Sequence, residues 1–116
     1  MPGASRDDWK TEAIQDPVQI TPPERVWTND EWATIRKGLV PGSMDDRWFA
    51  YAEGDTVHAF RSWSGMGIFK ARFEQTADGW VIVEAVAEHG HEDRGMLEMV
   101  VELILKGSSD DEWRFR

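Results

Sequence analysis

Apolar and polar positions alternate along the middle of this chain and then give way to a nearly continuous apolar run, a pattern that predicts strands followed by a helix. Trp48–Glu53 and Thr56–Trp63 alternate on either side of Gly54-Asp55, a two-residue connection suited to a tight hairpin turn. That turn pairs Ala52 with Val57, Tyr51 with His58, Ala50 with Ala59 and Phe49 with Phe60. One face then carries Trp48, Ala50, Ala52, Val57, Ala59 and Arg61, and the other Phe49, Tyr51, His58, Phe60 and Ser62. A second pair, Ile68–Thr76 and Trp80–Glu88, is joined by Ala77-Asp78-Gly79. Read as a three-residue loop, it sets Phe73 opposite Val83, Ala71 opposite Ala85, Phe69 opposite Ala87 and Arg72 opposite Glu84.

After His89-Gly90 the period changes to that of a helix, from about His91 to Lys106, with Glu92 and Asp93 at its positive end and Gly107 as its stop. Arg94, Glu98, Glu102 and Lys106 form a narrow polar stripe. The apolar remainder, Met96, Leu97, Met99, Val100, Val101, Leu103, Ile104 and Leu105, exceeds what one sheet face covers, which points to a second copy or a protein partner. Upstream, Thr28 and Glu31 form a capping box and Trp27 and Trp32 occupy the staple positions, predicting a short helix from about Asn29 to Lys37. Leu39, past Gly38, is placed to fold back on its end. Residues 1–25, with Pro2, Pro17, Pro22 and Pro23, mixed charge and few aliphatics, read as a flexible arm. Residues 26–116 then form a single α+β domain: short N-terminal helix, four-stranded antiparallel β-meander, and long C-terminal helix packed on one sheet face. Both faces carry apolar residues, so the pattern does not select the covered one. Trp113-Arg114-Phe115-Arg116 either adds a short strand or frays.

Composition narrows the class. A length of 116 residues suits one domain, and no stretch approaches the roughly 18 apolar residues of a membrane span. No secretory signal is visible at the start, which makes a soluble, cytoplasmic protein the expectation. Without cysteine there is no disulfide framework, thiol nucleophile or thiolate metal site. The net charge of −9 disfavours duplex nucleic acid and anionic membrane as partners. Basic residues nevertheless gather between Arg47 and Phe73, where Arg47, Arg61, Lys70 and Arg72 stand against Glu53 and Asp55. Seven tryptophans are many for this length, and core use accounts for most of them.

The segment richest in chemistry is Arg61-Ser62-Trp63-Ser64-Gly65-Met66-Gly67. An arginine at a strand end, the hydroxyls of Ser62 and Ser64, and Gly65 and Gly67 permitting close approach suit a phosphate or carboxylate, with Trp63 for stacking. The competing reading is a β-connection that needs glycine geometry. His58 and Tyr51 complete the candidate ligand set, although a half-buried structural pair explains them equally simply. Arg72 is accounted for by an ion pair with Glu84. His89, His91, Glu92 and Asp93 carry metal-compatible groups, but a solvated turn with acids at a helix start is the simpler account, so neither metal nor cofactor is expected. Ser62 or Ser64 with His58 and Glu53 assembles a nucleophile and base only on paper, without a nucleophile-elbow motif.

Trp48-Phe49-Ala50-Tyr51-Ala52-Glu53-Gly54 and Arg61-Ser62-Trp63-Ser64-Gly65, preceded by Asp30-Glu31-Trp32, resemble a family of small uncharacterised bacterial proteins. The resemblance covers about half the chain and carries no activity; it implies only that this stretch is a unit in its own right. Two functional expectations remain. The first is a non-enzymatic binding or protein-interaction module, homo-oligomeric or paired with another protein. The second is a small enzyme or sensor that holds a nucleotide or sugar phosphate through Arg61 and Trp63.

Overall fold

A computed structural model describes residue 4, residues 9–42 and residues 47–107; the terminal segment 113–116 lies outside them. The elements run β1 (Pro17–Ile20), α1 (Asn29–Ile35), β2 (Trp48–Glu53), β3 (Thr56–Arg61), β4 (Gly67–Thr76), β5 (Gly79–Glu88) and α2 (Arg94–Lys106). They build one antiparallel sheet in the order β1-β5-β4-β3-β2.

The expected four-stranded sheet is therefore corrected to five. The meander β2 to β5 is present, but Pro17-Val18-Gln19-Ile20, inside the stretch read as an arm, pairs with β5 from Pro17↔Glu88 to Ile20↔Ala85. Proline opens this edge strand, where its missing N–H removes nothing from the sheet. Val18 and Ile20 lie half-buried while Pro17 and Gln19 face solvent, the alternation of a strand with one covered face. Past the strand, the line is resumed by Trp27, whose N–H and C=O both bond to Trp80 at 2.8 and 2.7 Å.

The β2–β3 register is the one the Gly54-Asp55 turn predicts, Tyr51 opposite His58 included. The β4–β5 register agrees from Phe69↔Ala87 to Arg72↔Glu84, then shifts. Phe73 faces Ile82 rather than Val83, and Thr76 pairs with Gly79 across the two residues Ala77 and Asp78. Val83 is the extra residue of this bulge, which turns Ile82 into the core. A second bulge lies between Ala59↔Phe69 and Phe60↔Gly67, leaving Ile68 as the extra, fully buried residue.

Both helices cover the face that carries Trp48, Ala50, Val57 and Ala59. Their buried side chains, Trp32 and Ile35 from α1 and Leu97, Val100, Val101 and Ile104 from α2, join Phe69, Ala71, Phe73, Ala85 and Ala87 in one core. Trp27 and Trp32 both close on Phe73, with centroids 5.4 and 4.6 Å away, so the staple also fixes α1 to the sheet. The capping box forms at both of its bonds, Glu31 N–H to Thr28 Oγ1 at 3.0 Å and Thr28 N–H to Glu31 Oε1 at 2.8 Å. Leu39 folds back into the same core and bridges Ala50. Helix α2 starts three residues later than its acids indicate, because Asp93 is the cap, accepting from Met96 N–H at 3.1 Å. Arg25 ties the two helices together by ion-pairing with Glu102 and lying near Glu98 and Glu31. Of the apolar excess on α2, Met99 is 46% exposed while Met96, Leu103 and Leu105 are partly covered. Among the described residues no helix is long and apolar enough to cross a membrane.

The opposite face is not bare. Phe49, Tyr51 and Phe60 form a second cluster, covered by Ala4 and Trp9. Residues 9–16 act as a strap across it. Glu12 makes a parallel bridge to Met66, and Gln15 and Asp16 donate their amides to the carboxylate of Glu88 at 2.8 and 3.2 Å.

Candidate functional site

The residues singled out around Arg61 divide between two places. Arg61, Trp63 and Ser64 line a concavity of about 400 Å3 at one end of the sheet, together with Arg47, which in the sequence stands out only as part of a basic stretch. Tyr51 and His58 lie on the strap-covered face, in a different cleft.

The Arg61 end is built by a closed turn. Arg61 C=O accepts from Gly65 N–H at 2.8 Å and Arg61 N–H donates to Met66 C=O at 3.0 Å, while Ser64 Oγ accepts from Met66 N–H at 3.1 Å. Ser62 N–H donates to Arg47 C=O at 2.9 Å, which holds the base of Arg47 beside the turn. The Arg61 guanidinium lies over the Trp48 ring at 4.5 Å, a cation–π contact that fixes it without neutralising its charge. Neither Arg47 nor Arg61 has a carboxylate partner among the described residues. Trp63, 78% exposed, is the most exposed of the large hydrophobic residues described.

Gly65 and Gly67 admit a close approach, and the group that approaches is the chain's own strap. Gly65 has φ +76°, and a Cβ there would stand 2.6 Å from Lys10 C=O; one at Gly67 would stand 2.9 Å from Glu12 C=O. The strand-like exchange between Glu12 N–H and Gly65 C=O at 2.7 Å, and between Gly67 N–H and Glu12 C=O at 2.9 Å, occupies this backbone. Ser62 is buried, and its main-chain carbonyl accepts from the Trp9 indole at 2.8 Å. Of the eight proposed ligand residues, Arg61, Trp63 and Ser64 thus share a concavity, Ser62 and Gly65 belong to the turn behind it, and Gly67, at the start of β4, lines the second cleft with His58 and Tyr51.

On the other face, the Tyr51 and His58 rings stack at 4.9 Å and Tyr51 stacks on Phe60 at 5.6 Å. Glu53 Oε1 lies 3.9 Å from His58 Nε2. Tyr51, His58, Phe60 and Lys70 line a cleft of about 520 Å3, and Thr11, Ala13 and Ile14 of the strap line it from the other side. Arg72 pairs with Glu84 at 3.1 Å, with Glu74 3.7 Å away.

The His89–Asp93 segment is a turn in which Glu92 accepts from Gly90 N–H at 2.7 Å and Asp93 caps α2. Main-chain hydrogen bonds, from its own amide first and then from that of Gly90, outweigh desolvation and hold the Glu92 carboxyl below its ordinary value; His89 and His91 act in the same direction. No cluster of three or more metal-binding side chains occurs among the described residues.

Sequence reasoning missed the strap and with it the cleft. The available signal was Trp9, a large aromatic isolated in a polar stretch, matched by the surplus aromatics Phe49 and Phe60 on the far sheet face. Compared with known protein families, curated proteins and solved structures, the chain matches none, so the resemblance of its 48–54 and 61–65 segments rests on those residues alone.

Proposed function

We propose that this protein is a non-enzymatic binding module whose ligand is an anionic small molecule of the nucleotide or sugar-phosphate kind, held at the Arg61 end. One observation carries the reading. Two guanidinium groups without carboxylate partners among the described residues and an exposed tryptophan line the same concavity in a chain of net charge −9. In an acidic protein, an unneutralised arginine pair is a local attraction for a phosphate or carboxylate, and arginine forks match such groups two bonds at a time. Trp63 adds a flat apolar surface for a base or sugar ring, and Ser64 a hydroxyl at the rim.

The test is a thermal-shift and calorimetric screen of nucleotides and sugar phosphates against wild type, Arg47→Ala, Arg61→Ala and Trp63→Ala. Binding by wild type that falls roughly tenfold or more in the arginine variants is expected, since hydrogen bonds to charged groups contribute about 1.5–3 kcal/mol. No ligand stabilising wild type, or one stabilising Arg61→Ala equally, sinks the reading.

A second reading, association with a second copy or a protein partner, rests on Met99 and its partly covered neighbours Met96 and Leu103, three positions on one face of α2. Sedimentation of wild type and Met99→Glu separates the two. Association abolished by the charge supports a protein interface, and a concentration-independent monomer removes it.

A further inference from the structure

The cleft under the strap lies apart from the Arg61 concavity and belongs to neither reading above. Its volume of about 520 Å3 falls within the few hundred to one thousand Å3 typical of small-molecule sites. The strap is anchored at both ends and touches the sheet between them at Gly67, where Ile14 packs close. Glu12 is bonded to Gly65 and Gly67 at one end, and Gln15 and Asp16 are bonded to Glu88 at the other, so Thr11, Ala13 and Ile14 are held as one side of the cleft.

The floor has a definite chemistry. Phe60 and Val86 supply apolar surface, the Tyr51–His58 stack a flat wall, and Ile14 an apolar roof. Among the described residues that line it, Lys70 is the one lysine or arginine. Lys70 stands opposite His58 on β3 and opposite Val86 on β5, whereas the next cation along the strand, Arg72, stands opposite Glu84 and pairs with it. Lys70 has no carboxylate partner among the described residues, and Glu53 Oε1 lies 3.9 Å from His58 Nε2. An apolar cleft with a single ammonium at its edge complements one negative charge on an apolar body. A polyanion would meet the net charge of −9 with only one cation to offset it.

We propose that this cleft binds a small organic monocarboxylate, its carboxylate on Lys70 and its hydrocarbon portion against Phe60, Val86 and Ile14. Octanoate is the probe, with 1-octanol as its uncharged counterpart, followed by the backbone amide NMR signals of the full chain. Octanoate is expected to shift the amides of His58, Lys70, Val86 and Gly67 saturably, and octanol to bind roughly five-fold or more weakly, about what one partly exposed ion pair contributes. Lys70→Met, at an exposed position, is expected to lose the same factor while melting like wild type, and Val86→Trp to block the cleft. Arg61→Ala is expected to bind octanoate unchanged, which separates this site from the one in the proposed function. Octanoate shifts that are absent, that fall on Arg47, Arg61 and Trp63 instead, or that octanol reproduces at equal affinity overturn the assignment. If Lys70→Met fails to fold, the comparison of octanoate with octanol on wild type decides alone.

Discussion

The indole of Trp9 donates to the main-chain carbonyl of Ser62 at 2.8 Å, across 53 residues of sequence, and its ring stacks on Phe49 at 6.3 Å. This pair fastens the strap to the same turn that presents Arg61 and Trp63. Trp9→Phe retains most of the stacking and removes the hydrogen bond, with an expected loss of about 0.5–1.5 kcal/mol. Trp9→Ala also uncovers Phe49, with a larger expected loss that stays below the roughly 3–5 kcal/mol of a fully buried tryptophan, because Trp9 is only part-buried. Denaturant melts check both, and equal losses in the two variants count against the hydrogen bond.

The α2 core positions set a larger scale. Leu97 and Ile104 are 2% and 1% exposed, so truncating either to alanine removes buried methyl groups and leaves a void. A loss of roughly 2–5 kcal/mol is expected for each. Truncating Met99 to alanine, on the open side of the same helix, is expected to cost well under half of that; urea midpoints of the three variants supply the comparison.

At Gly65 the backbone is left-handed and the strap passes within contact of any side chain. Gly65→Ala is expected to lose at least about 1–2 kcal/mol from the conformation alone, with more from displacing Lys10. Its amide-exchange protection should drop at Glu12 and Gly67 together, because each bonds through this crossing. Exchange that stays at wild-type rates there shows that the crossing does not depend on glycine.

Glu88 binds two strap amides with one carboxylate. Glu88→Gln keeps one acceptor oxygen and is expected to cost about 1.5–3 kcal/mol, loosening Gln15 and Asp16 but leaving the capping box at Thr28 intact. Hydrogen exchange resolved by residue distinguishes this local loss from a global one.

Acid should act on the α2 turn through Glu92, whose carboxyl is held below its ordinary value of 4.5. A depressed folded value means that its contribution is present above the unfolded value and disappears as pH falls through the folded one. A side-chain carboxyl titration is expected to show a midpoint below 4.5 for Glu92, and Glu92→Gln to flatten stability slightly in that acid window.

Much of this architecture is legible because it is local. Gly54-Asp55 sets the β2–β3 register without help from the rest of the chain, and Thr28, Glu31, Trp27 and Trp32 announce α1 by their spacing. What is not local is hidden. Ile82 and Val83 are both aliphatic, so the sequence pattern cannot say which faces Phe73; packing under Trp27 and Trp32 decides it and inserts the bulge. Strand β1 is four residues that open on Pro17 and stop short of Pro22, and it acquires its identity only from the edge of β5. The candidate site divides in the same way. Arg61, Trp63 and Ser64 are neighbours in sequence and remain together, whereas Arg47 joins them through the sheet and His58 is carried away by it.

The pairing of β1 and the strap with β5 bears on how the molecule reaches its native state. Gln15 meets Glu88 across 73 residues, and closing so long a loop costs entropy before any contact rewards it. The β2–β3 hairpin, with two residues in its turn, has no such barrier. Folding should therefore pass through a meander whose β5 edge and aromatic far face are still open, with β1 and the strap docking last; during that interval the protein is most exposed to strand-to-strand aggregation.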